Sequence, residues 1–349
     1  MKRKTINSVV IILLMTVFSC DEPETIVTNI VHPDGSVTRR IEMRNKKNNF
    51  KPSDLQVPFD STWIIKDTLA VDEKGDTTWI KTAEKLFKNV EEINKDYITD
   101  KGGNKEIKRN AEFIKKFRWF NTQYRFSEII DRKMSFGYPV KDFLNQEELK
   151  YFYSPESVHL EKITGPDSIK FKALYDTIKK KTDKWTEKNL VSEWIGEFSK
   201  LTKARAGNEM SMESLKARED EFVKIIEAND KMFDSLWTKG IILKEFIGEN
   251  NATKFKVEAD TALAIAMRQL FVNFKDYSVR IVMPGKVIGA NGFIDKQEGL
   301  LWPVKSDYFV TEPYIMWAES KISNTWAWIV SGVFLLFVVA GLIYRIVRK

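Results

Sequence analysis

The feature that most constrains this chain is a long uncharged segment near its C-terminus. Residues Ile322–Tyr344 carry no charged side chain, and three of the five residues after them are Arg or Lys. At about 1.5 Å of rise per residue, a helix of this length crosses a hydrocarbon core of about 30 Å. Trp326, Trp328 and Tyr344 lie near the ends of the segment, where interfacial aromatic residues are common. The pattern predicts a transmembrane helix over 322–344 and a cytoplasmic basic tail over 345–349.

A second membrane signal begins the chain. A basic start is followed by an apolar run over 9–18, which ends close to Ser19 and Cys20. This order is that of an export signal, and residues 17–20 resemble the lipobox of bacterial lipoproteins. Cys20 is the one cysteine of the chain, so no intramolecular disulfide can form and an acylation site is favoured over a packing role. We predict a signal peptide over 1–19 and a lipid-modified Cys20; an ordinary cleaved signal or an uncleaved anchor is the alternative.

The positive charge of the chain lies beside its membrane segments. The formal net charge is +7, but six of the 56 Lys and Arg residues lie in the two flanks, and the other 50 face 49 acidic residues. Lys and Arg concentrate on the cytoplasmic side of membrane segments, which predicts cytoplasmic ends and an exported domain over 20–321. Because that domain is close to neutral, its composition argues against a nucleic-acid partner.

The residues after Cys20 bear on which membrane holds the protein. Asp21, Glu22 and Glu24 form an acidic cluster. Such a cluster resembles a surface-export signal of Bacteroidota lipoproteins, whereas Asp directly after the cysteine resembles an inner-membrane retention signal of enteric bacteria. A single apolar helix normally resides in the inner membrane, because outer-membrane spans are built as β-barrels. We therefore predict the inner membrane with the domain in the periplasm; an outer-membrane or cell-surface lipoprotein is the alternative.

Strand patterns lie at both ends of the exported domain, and helical patterns lie between them. Alternation and turn residues predict two N-terminal hairpins, a strand-rich aromatic stretch and four later strands. The strand segments are 25–44 with a turn at 32–35, 62–66 with 77–81, 111–130, 277–283, 286–290, 300–304 and 314–318. Helical spacing of apolar residues occurs over 81–94, 168–203, 211–246 and 257–274, and Asn145 to Glu148 is typical of a capping box. The prediction is an α+β domain in which terminal strands form one antiparallel sheet and residues 138–273 form a helical insertion.

The last strands carry a family resemblance. Val282 to Val287 contain Pro-Gly, Ala290 to Gly292 form an Asn-containing turn, and Gly299 to Trp302 bear a tryptophan. This block, followed by a membrane helix and a basic tail, resembles the end of LppM-like domains. The resemblance implies an envelope protein that binds lipids or glycolipids, and it covers about fifty residues, without the helical insertion. The whole chain also resembles uncharacterised envelope lipoproteins of Bacteroidota.

Short Asp-Ser and Asp-Thr motifs recur along the chain. They begin at Asp60, Asp67, Asp76, Asp167, Asp176, Asp234 and Asp260. These triplets resemble O-glycosylation sites of exported Bacteroidota proteins, which would make Thr68, Thr77 and Ser168 the modified residues. The alternative is coincidence, because the same pairs also open helices and turns.

The sequence offers little catalytic chemistry. Its two histidines, His32 and His159, have no cysteine partner for a zinc site of the His/Cys type, and no phosphate-binding loop is present. A glycoside hydrolase needs two carboxylates about 5 to 9 Å apart. Glu128 and Asp131, close in sequence to Trp119, are the one neighbourhood that offers them. We favour the interpretation in which those aromatics form the sheet core and the acids cap its edge.

We therefore predict a non-enzymatic, membrane-anchored envelope lipoprotein with no cofactor and no catalytic or metal site. Its domain is expected to bind a lipid, a glycolipid or a partner protein close to the bilayer, because few residues separate the domain from either anchor. Two alternatives assign the protein to a different functional class. One is an envelope enzyme that cleaves carbohydrate or peptidoglycan with paired carboxylates, and the other is a subunit of an inner-membrane complex.

Overall fold

The structure is a computed structural model in which two compact units are described separately. It describes residues 24–48, 50, 57–71, 75–99, 107–155, 167–229, 232–271, 274–294 and 299–348. The sheet unit comprises the described residues of 24–130, 277–302 and 315–348, and the helical unit those of 131–276 and 303–314. The predicted signal peptide, Cys20 and His159 lie outside the described residues. The predicted bounds of the exported domain and its insertion remain predictions.

Two sheets form most of the sheet unit. The strands are β1 Glu24–Val31, β2 Val37–Asn45, β3 Ile64–Val71, β4 Thr77–Phe87, β5 Arg109–Arg118, β6 Asn121–Ile130, β7 Tyr277–Val282, β8 Lys286–Ala290, β9 Phe293–Ile294, β10 Leu300–Val304 and β11 Tyr314–Ser323. A seven-stranded sheet has the order β3-β4-β2-β1-β7-β10-β9, and a four-stranded sheet has the order β5-β6-β11-β8. The α+β class is confirmed, with two sheets where one was predicted.

The first hairpin forms as the alternation predicts. Val27 in β1 and Ile41 in β2 pair across the ladder and are buried, while their neighbours along each strand are more exposed. The turn between the strands places Gly35 at φ 96°, a conformation that favours glycine. β1 pairs on its other side with β7 in parallel. β1 and β7 therefore depart from the antiparallel pairing that was predicted.

Residues 81–94 contain the clearest error of secondary structure. The predicted helix over this segment is wrong at its start, because β4 continues to Phe87 and the helix α1 spans Val90–Thr99. β4 pairs with β2 on one side and β3 on the other along nearly its whole length. Ladder hydrogen bonds on both sides outweigh the helical spacing of a few apolar residues.

The helical unit has eight described helices. They are α2 Gln146–Tyr153, α3 Asp167–Thr202, α4 Met212–Ala217, α5 Glu219–Asn229, α6 Phe233–Thr238, α7 Ile241–Ile247, α8 Glu249–Lys254 and α9 Lys256–Leu270. The capping box is confirmed, since Asn145 accepts from the amides of Glu147 and Glu148 while the Glu148 side chain accepts from the amide of Asn145. The helical segment 211–246 is divided among α4 to α7, and Gly240 lies in the left-handed region between α6 and α7.

Aromatic rings fill the core of the helical unit. Trp194 on α3 lies 4.8 Å from the Phe222 ring on α5, and Phe222 stacks on Phe246 of α7 at 4.2 Å between ring centroids. The indole N–H of Trp194 donates to the carbonyl of Ala259 at 3.0 Å, so its polar atom is satisfied. Three alanines of α9 are fully buried, which lets α9 approach its neighbours closely.

Candidate membrane-proximal site

The sheet unit ends in one helix that is long and apolar enough to cross a membrane. This helix, α10, spans Thr325–Val347, has a mean hydropathy of 2.4 over its most apolar window and buries 6% of that window. The predicted span over 322–344 is therefore shifted by three residues. The difference arises because β11 keeps its strand conformation up to Ser323.

A single residue joins the sheet to α10, and it is fixed by hydrogen bonds. The backbone N–H of Asn324 donates to the carbonyl of Phe120 at 3.0 Å. The Asn324 side-chain amide donates to the carbonyls of Arg118 at 2.7 Å and Trp119 at 3.2 Å, and its oxygen accepts from the Thr122 hydroxyl at 3.0 Å. These four bonds tie the start of α10 to the turn of the β5–β6 hairpin. The connection is therefore a short fixed joint and has no linker.

Aromatic side chains of the hairpin lie against the first turns of α10. The ring centroids of Phe117 and Trp326 are 6.4 Å apart, those of Trp119 and Trp326 are 5.2 Å apart, and those of Phe120 and Trp328 are 4.3 Å apart. We call these five residues the junction cluster. Despite their mutual contacts, their exposed fractions range from 39% to 61%. The cluster is thus a contiguous exposed aromatic surface.

Basic residues adjoin this aromatic surface. Lys115, Lys116 and Arg118 are exposed on β5, and the six residues from 115 to 120 are three basic and three aromatic side chains without an acidic residue. The Lys115 ammonium donates to the carbonyl of Pro33 at 3.0 Å. Arg125 on β6 is different, because it pairs with Glu319 of β11 at 2.6 Å. Sequence analysis assigned this stretch to strands and did not single out its charges.

A buried polar network lies between the two sheets. Arg39 on β2 donates to Asn29 at 2.8 Å, to the hydroxyl of Tyr97 at 2.7 Å and to both carboxylate oxygens of Glu128 at 3.3 Å. Asn29 donates to Glu128 at 3.0 Å, and the Tyr97 hydroxyl also donates to Glu128. Arg39 and Glu128 are 2% and 1% exposed. Three donors therefore converge on one buried carboxylate.

Burial and charge set the protonation of this network. Burial alone would lower the pKa of Arg39, but the neighbouring Tyr97 and Glu128 outweigh it, so that the pKa is raised above its ordinary value. Burial raises the pKa of Tyr97, which keeps its hydroxyl protonated as a donor. The network accordingly has the chemistry of a structural ion pair.

The carboxylate pair considered from sequence does not take the predicted form. Glu128 was expected to cap a sheet edge or to act in a cleft, but it lies in the interior with its oxygens engaged. Asp131 is exposed at the start of the helical unit, where it accepts the backbone N–H of Arg132 at 2.9 Å. Among the residues that the structure describes, no group of three His, Cys, Asp or Glu side chains is arranged to hold a metal.

The predicted modification residues lie in several places. Thr68 on β3 and Thr77 on β4 are both exposed, so glycosylation there meets no steric obstacle from described residues. Ser168 lies in the first turn of α3, and its side chain is outside the described part of the structure. His32 shares a hydrogen bond with the Thr38 hydroxyl at 2.9 Å. Lipidation of Cys20 and glycosylation of these residues stay predictions.

The helical unit contains an aromatic pocket of about 250 Å³. Tyr151 and Phe152 of α2, Tyr175 of α3 and Tyr308 of a short helical turn supply rings to its wall, and Lys179 and Lys305 supply cations. The rings of Phe152 and Tyr308 lie 5.3 Å apart. Such a mixture of rings with a few polar groups suits a small amphipathic ligand.

The fold and its joint define an α+β protein with one candidate membrane span. No family model matches the chain, and no curated protein matches it significantly. Among solved structures, the folded domain of LppM from Mycobacterium tuberculosis, determined by NMR, is similar at 9% identity and a TM-score of 0.27. The similarity covers 87% of this chain and 92% of that chain. LppM belongs to the family that the C-terminal strands resemble, but a TM-score this low does not establish a shared fold.

Proposed function

We propose that this protein is a non-enzymatic, membrane-anchored envelope protein whose sheet unit lies directly on the bilayer. The observation that supports it most is the joint at Asn324, where one residue separates a ten-residue strand from a 23-residue apolar helix. Four hydrogen bonds hold that residue to the hairpin turn. A domain fixed in this way remains at the membrane surface, because it has no tether along which to extend.

The proposed ligands are a lipid, a glycolipid or a partner protein near the bilayer. The pocket lined by Tyr175 and Phe152 supports a ligand with an apolar part, and its lining also carries two lysines and one aspartate, Asp307, which can pair with a polar headgroup. The proposed location is the inner membrane with the domain in the periplasm. The proposal of no enzymatic activity is supported by the engagement of Glu128 in a buried ion pair, because a catalytic acid needs access to substrate.

The two proposed anchors can be separated by a set of four full-length proteins expressed in their native envelope. These are the unchanged chain, Cys20→Ala, a span variant with Leu336→Arg and Phe337→Arg, and the combination of both changes. Two charges at the centre of a span cost about 5 to 7 kcal/mol of insertion free energy, so we expect the span variant to lose its helix anchor. Carbonate extraction followed by immunoblotting measures what remains with the membrane.

We expect each single-anchor variant to stay in the membrane pellet and the combined variant to be extracted. A matched control, Ile64→Arg with Ile65→Arg on exposed positions of β3, should pellet like the unchanged chain. Extraction of the unchanged chain would contradict membrane anchoring altogether. Extraction of the span variant alone would show that Cys20 carries no lipid, and this would remove the acylated half of the proposal.

Binding in the aromatic pocket is tested separately. Tyr175 is 58% exposed, so Tyr175→Ala with Lys179→Ala should remove one ring and one cation from the pocket lining without disturbing the fold. Native mass spectrometry of protein purified in detergent should detect a bound lipid on the unchanged chain and at least about tenfold less on the variant, as expected from the loss of about 1.4 kcal/mol of binding free energy. Equal lipid occupancy on both proteins would exclude the pocket as the ligand site.

A further inference from the structure

We propose that the end of the β5–β6 hairpin, residues Lys115–Phe120, is a second membrane contact that enters the headgroup layer of an anionic bilayer beside α10. We call these residues the tip segment. The inference rests on the proposed function, because it takes α10 to be a membrane span. It adds a protein surface that binds anionic lipid headgroups, which neither the apolar helix nor the Cys20 anchor requires.

The aromatic side chains of the tip suit the membrane interface. Phe117, Trp119 and Phe120 keep 61%, 47% and 39% of their surface exposed, although each contacts a tryptophan of α10. A contiguous apolar surface of this kind in water marks a binding site on most proteins. Trp at the junction of a domain and a span is well suited to the interfacial layer, because its ring has an apolar body and one polar N–H, and the neighbouring Phe rings add apolar surface.

The charges of the tip select the type of lipid. Lys116 and Arg118 are exposed beside the aromatic rings, and residues 113–126 on both strands contain no acidic side chain. Long basic side chains can lay their methylene stems along apolar surface while the charged ends meet lipid phosphates. Lysine and arginine near the membrane surface are attracted to anionic headgroups, and this attraction fades within a Debye length. The tip therefore fits an anionic surface better than a zwitterionic one.

The depth of the tip follows from one hydrogen bond. The indole N–H of Trp119 donates to the Ser331 hydroxyl at 2.9 Å. Ser331 lies six residues after Thr325, which is about 9 Å along the helix axis. A helix of 23 residues is about 34 Å long, so little of it extends beyond a hydrocarbon core of about 30 Å. Trp119, the deepest ring of the tip, therefore reaches the edge of the hydrocarbon core, where its indole N–H bonds a hydroxyl that lipid tails cannot, while the rest of the tip lies among the headgroups.

The structure also explains why the tip holds this position. Asn324 bonds to the carbonyls of three consecutive tip residues, so that the hairpin turn and the start of α10 move together. A loop that contacted α10 only through exposed rings could swing away from the membrane. Here the hydrogen bonds of Asn324 hold the hairpin turn against α10. The aromatic rings therefore lose little conformational entropy when they contact lipid.

The test uses the full chain with Cys20→Ala, reconstituted in vesicles, and an environment-sensitive NBD probe on an introduced cysteine. One protein carries Lys116→Cys in the tip segment, and the matched control carries Lys66→Cys on exposed β3 of the same unit. The vesicles contain equal parts of phosphatidylglycerol and phosphatidylcholine, with doxyl-labelled lipid as the quencher. Cofloatation with the vesicles reports on the anchor, and quenching of the probe reports on the tip.

We expect the probe at 116 to be quenched at least about twofold more than the probe at 66, with less quenching in pure phosphatidylcholine. Replacement of Trp119 and Phe120 by serine should reduce quenching at 116 to the level at 66, and Ile64→Ser with Ile65→Ser should leave it unchanged. Both replaced pairs are exposed, and circular dichroism checks that each variant is folded. Equal quenching at 116 and 66 in protein that still floats with the vesicles would overturn the tip contact. Protein that does not float would instead overturn the proposed function.

Discussion

The interiors of the two units exclude water in different ways. The sheet unit buries a charged pair, Arg39 with Glu128, among hydrogen-bonding partners from β1 and α1. The helical unit buries stacked aromatic rings such as Phe222 and Phe246. Charged groups tolerate burial only with complete pairing, whereas rings need shape complementarity alone. The sheet interior at Arg39 should therefore be sensitive to chemistry, and the helical interior around Phe222 to volume.

The two units also differ in the pKa of a buried cation. Partners around Arg39 raise its pKa, as described above. Lys133 in the helical unit contacts the carbonyl of Leu270 at 3.4 Å and lies 5.2 Å from the ring centroid of Phe309. Burial lowers the pKa of Lys133 to about 8, although Asp307 opposes the shift. One unit stabilises its buried cation with a carboxylate, and the other destabilises it.

The largest effect should follow from Glu128→Gln, which keeps shape and removes charge. Arg39 would then be a buried cation without its carboxylate, and three donors would compete for one amide oxygen. We expect the free energy of unfolding of the sheet unit to fall by about 3 to 5 kcal/mol, measured by urea denaturation in detergent. Combined replacement of Arg39 by Met and Glu128 by Leu should recover only part of the loss, because the buried Asn29 and Tyr97 would lose their partners. A loss below about 1 kcal/mol for Glu128→Gln would mean that the ion pair is not needed.

A smaller effect is expected from Phe222→Leu, which changes shape and keeps apolar chemistry. The Phe222 ring contacts Trp194 and Phe246, and the side chain is 1% exposed. Apolar swaps of similar size typically cost less than about 1.5 kcal/mol, because the core repacks. Thermal unfolding checks this value, with Phe222→Ala as the control that should cost about 3 to 5 kcal/mol. If Phe222→Leu cost as much as Glu128→Gln, the contrast between the two interiors would be lost.

The smallest effect is a dependence of stability on pH from Lys133. Its folded pKa of about 8 lies below its unfolded value, so between these values the unfolded state binds more protons. Stability should therefore rise as pH increases from about 8 to about 10.4, by about 3 kcal/mol at most, which solvent screening of the half-buried Lys133 reduces to on the order of 1 kcal/mol. Urea denaturation at several pH values measures the slope, and Lys133→Met should abolish it. A slope unchanged in Lys133→Met would assign it to another group.

Local patterns predicted local structure well in this protein. The β1–β2 hairpin follows from strict alternation and a turn at Gly35, and the start of α2 follows from the spacing of Asn145 and Glu148. Each depends on residues within a few positions of one another. The predicted helix over 81–94 failed because β4 gains ladder partners from strands distant in sequence. Alternation likewise cannot specify that β7 pairs in parallel with β1, since it sets the buried face of a strand and not its neighbour.

The candidate site was predicted in part. Hydropathy located the apolar helix α10 to within three residues, because a run of apolar side chains is a local property. The aromatic and basic residues of the tip segment are visible in the sequence, but nothing local distinguishes them from a strand of the core. Their position beside α10 is seen only in the structure, in which Trp119 and Ser331 are hydrogen-bonded although they lie 212 positions apart.

By itself, the sequence determined the apolar helix, the first hairpin and the capped helix start, because each is set by the pattern of neighbouring side chains. Only the tertiary structure decided that Glu128 meets Arg39, 89 positions away, and that the β5–β6 hairpin meets α10. Such contacts depend on strand register and on the order of strands in a sheet. A register shift of one residue would turn Glu128 to the other face of β6, so the chemistry of this carboxylate belongs to the fold and not to its local sequence.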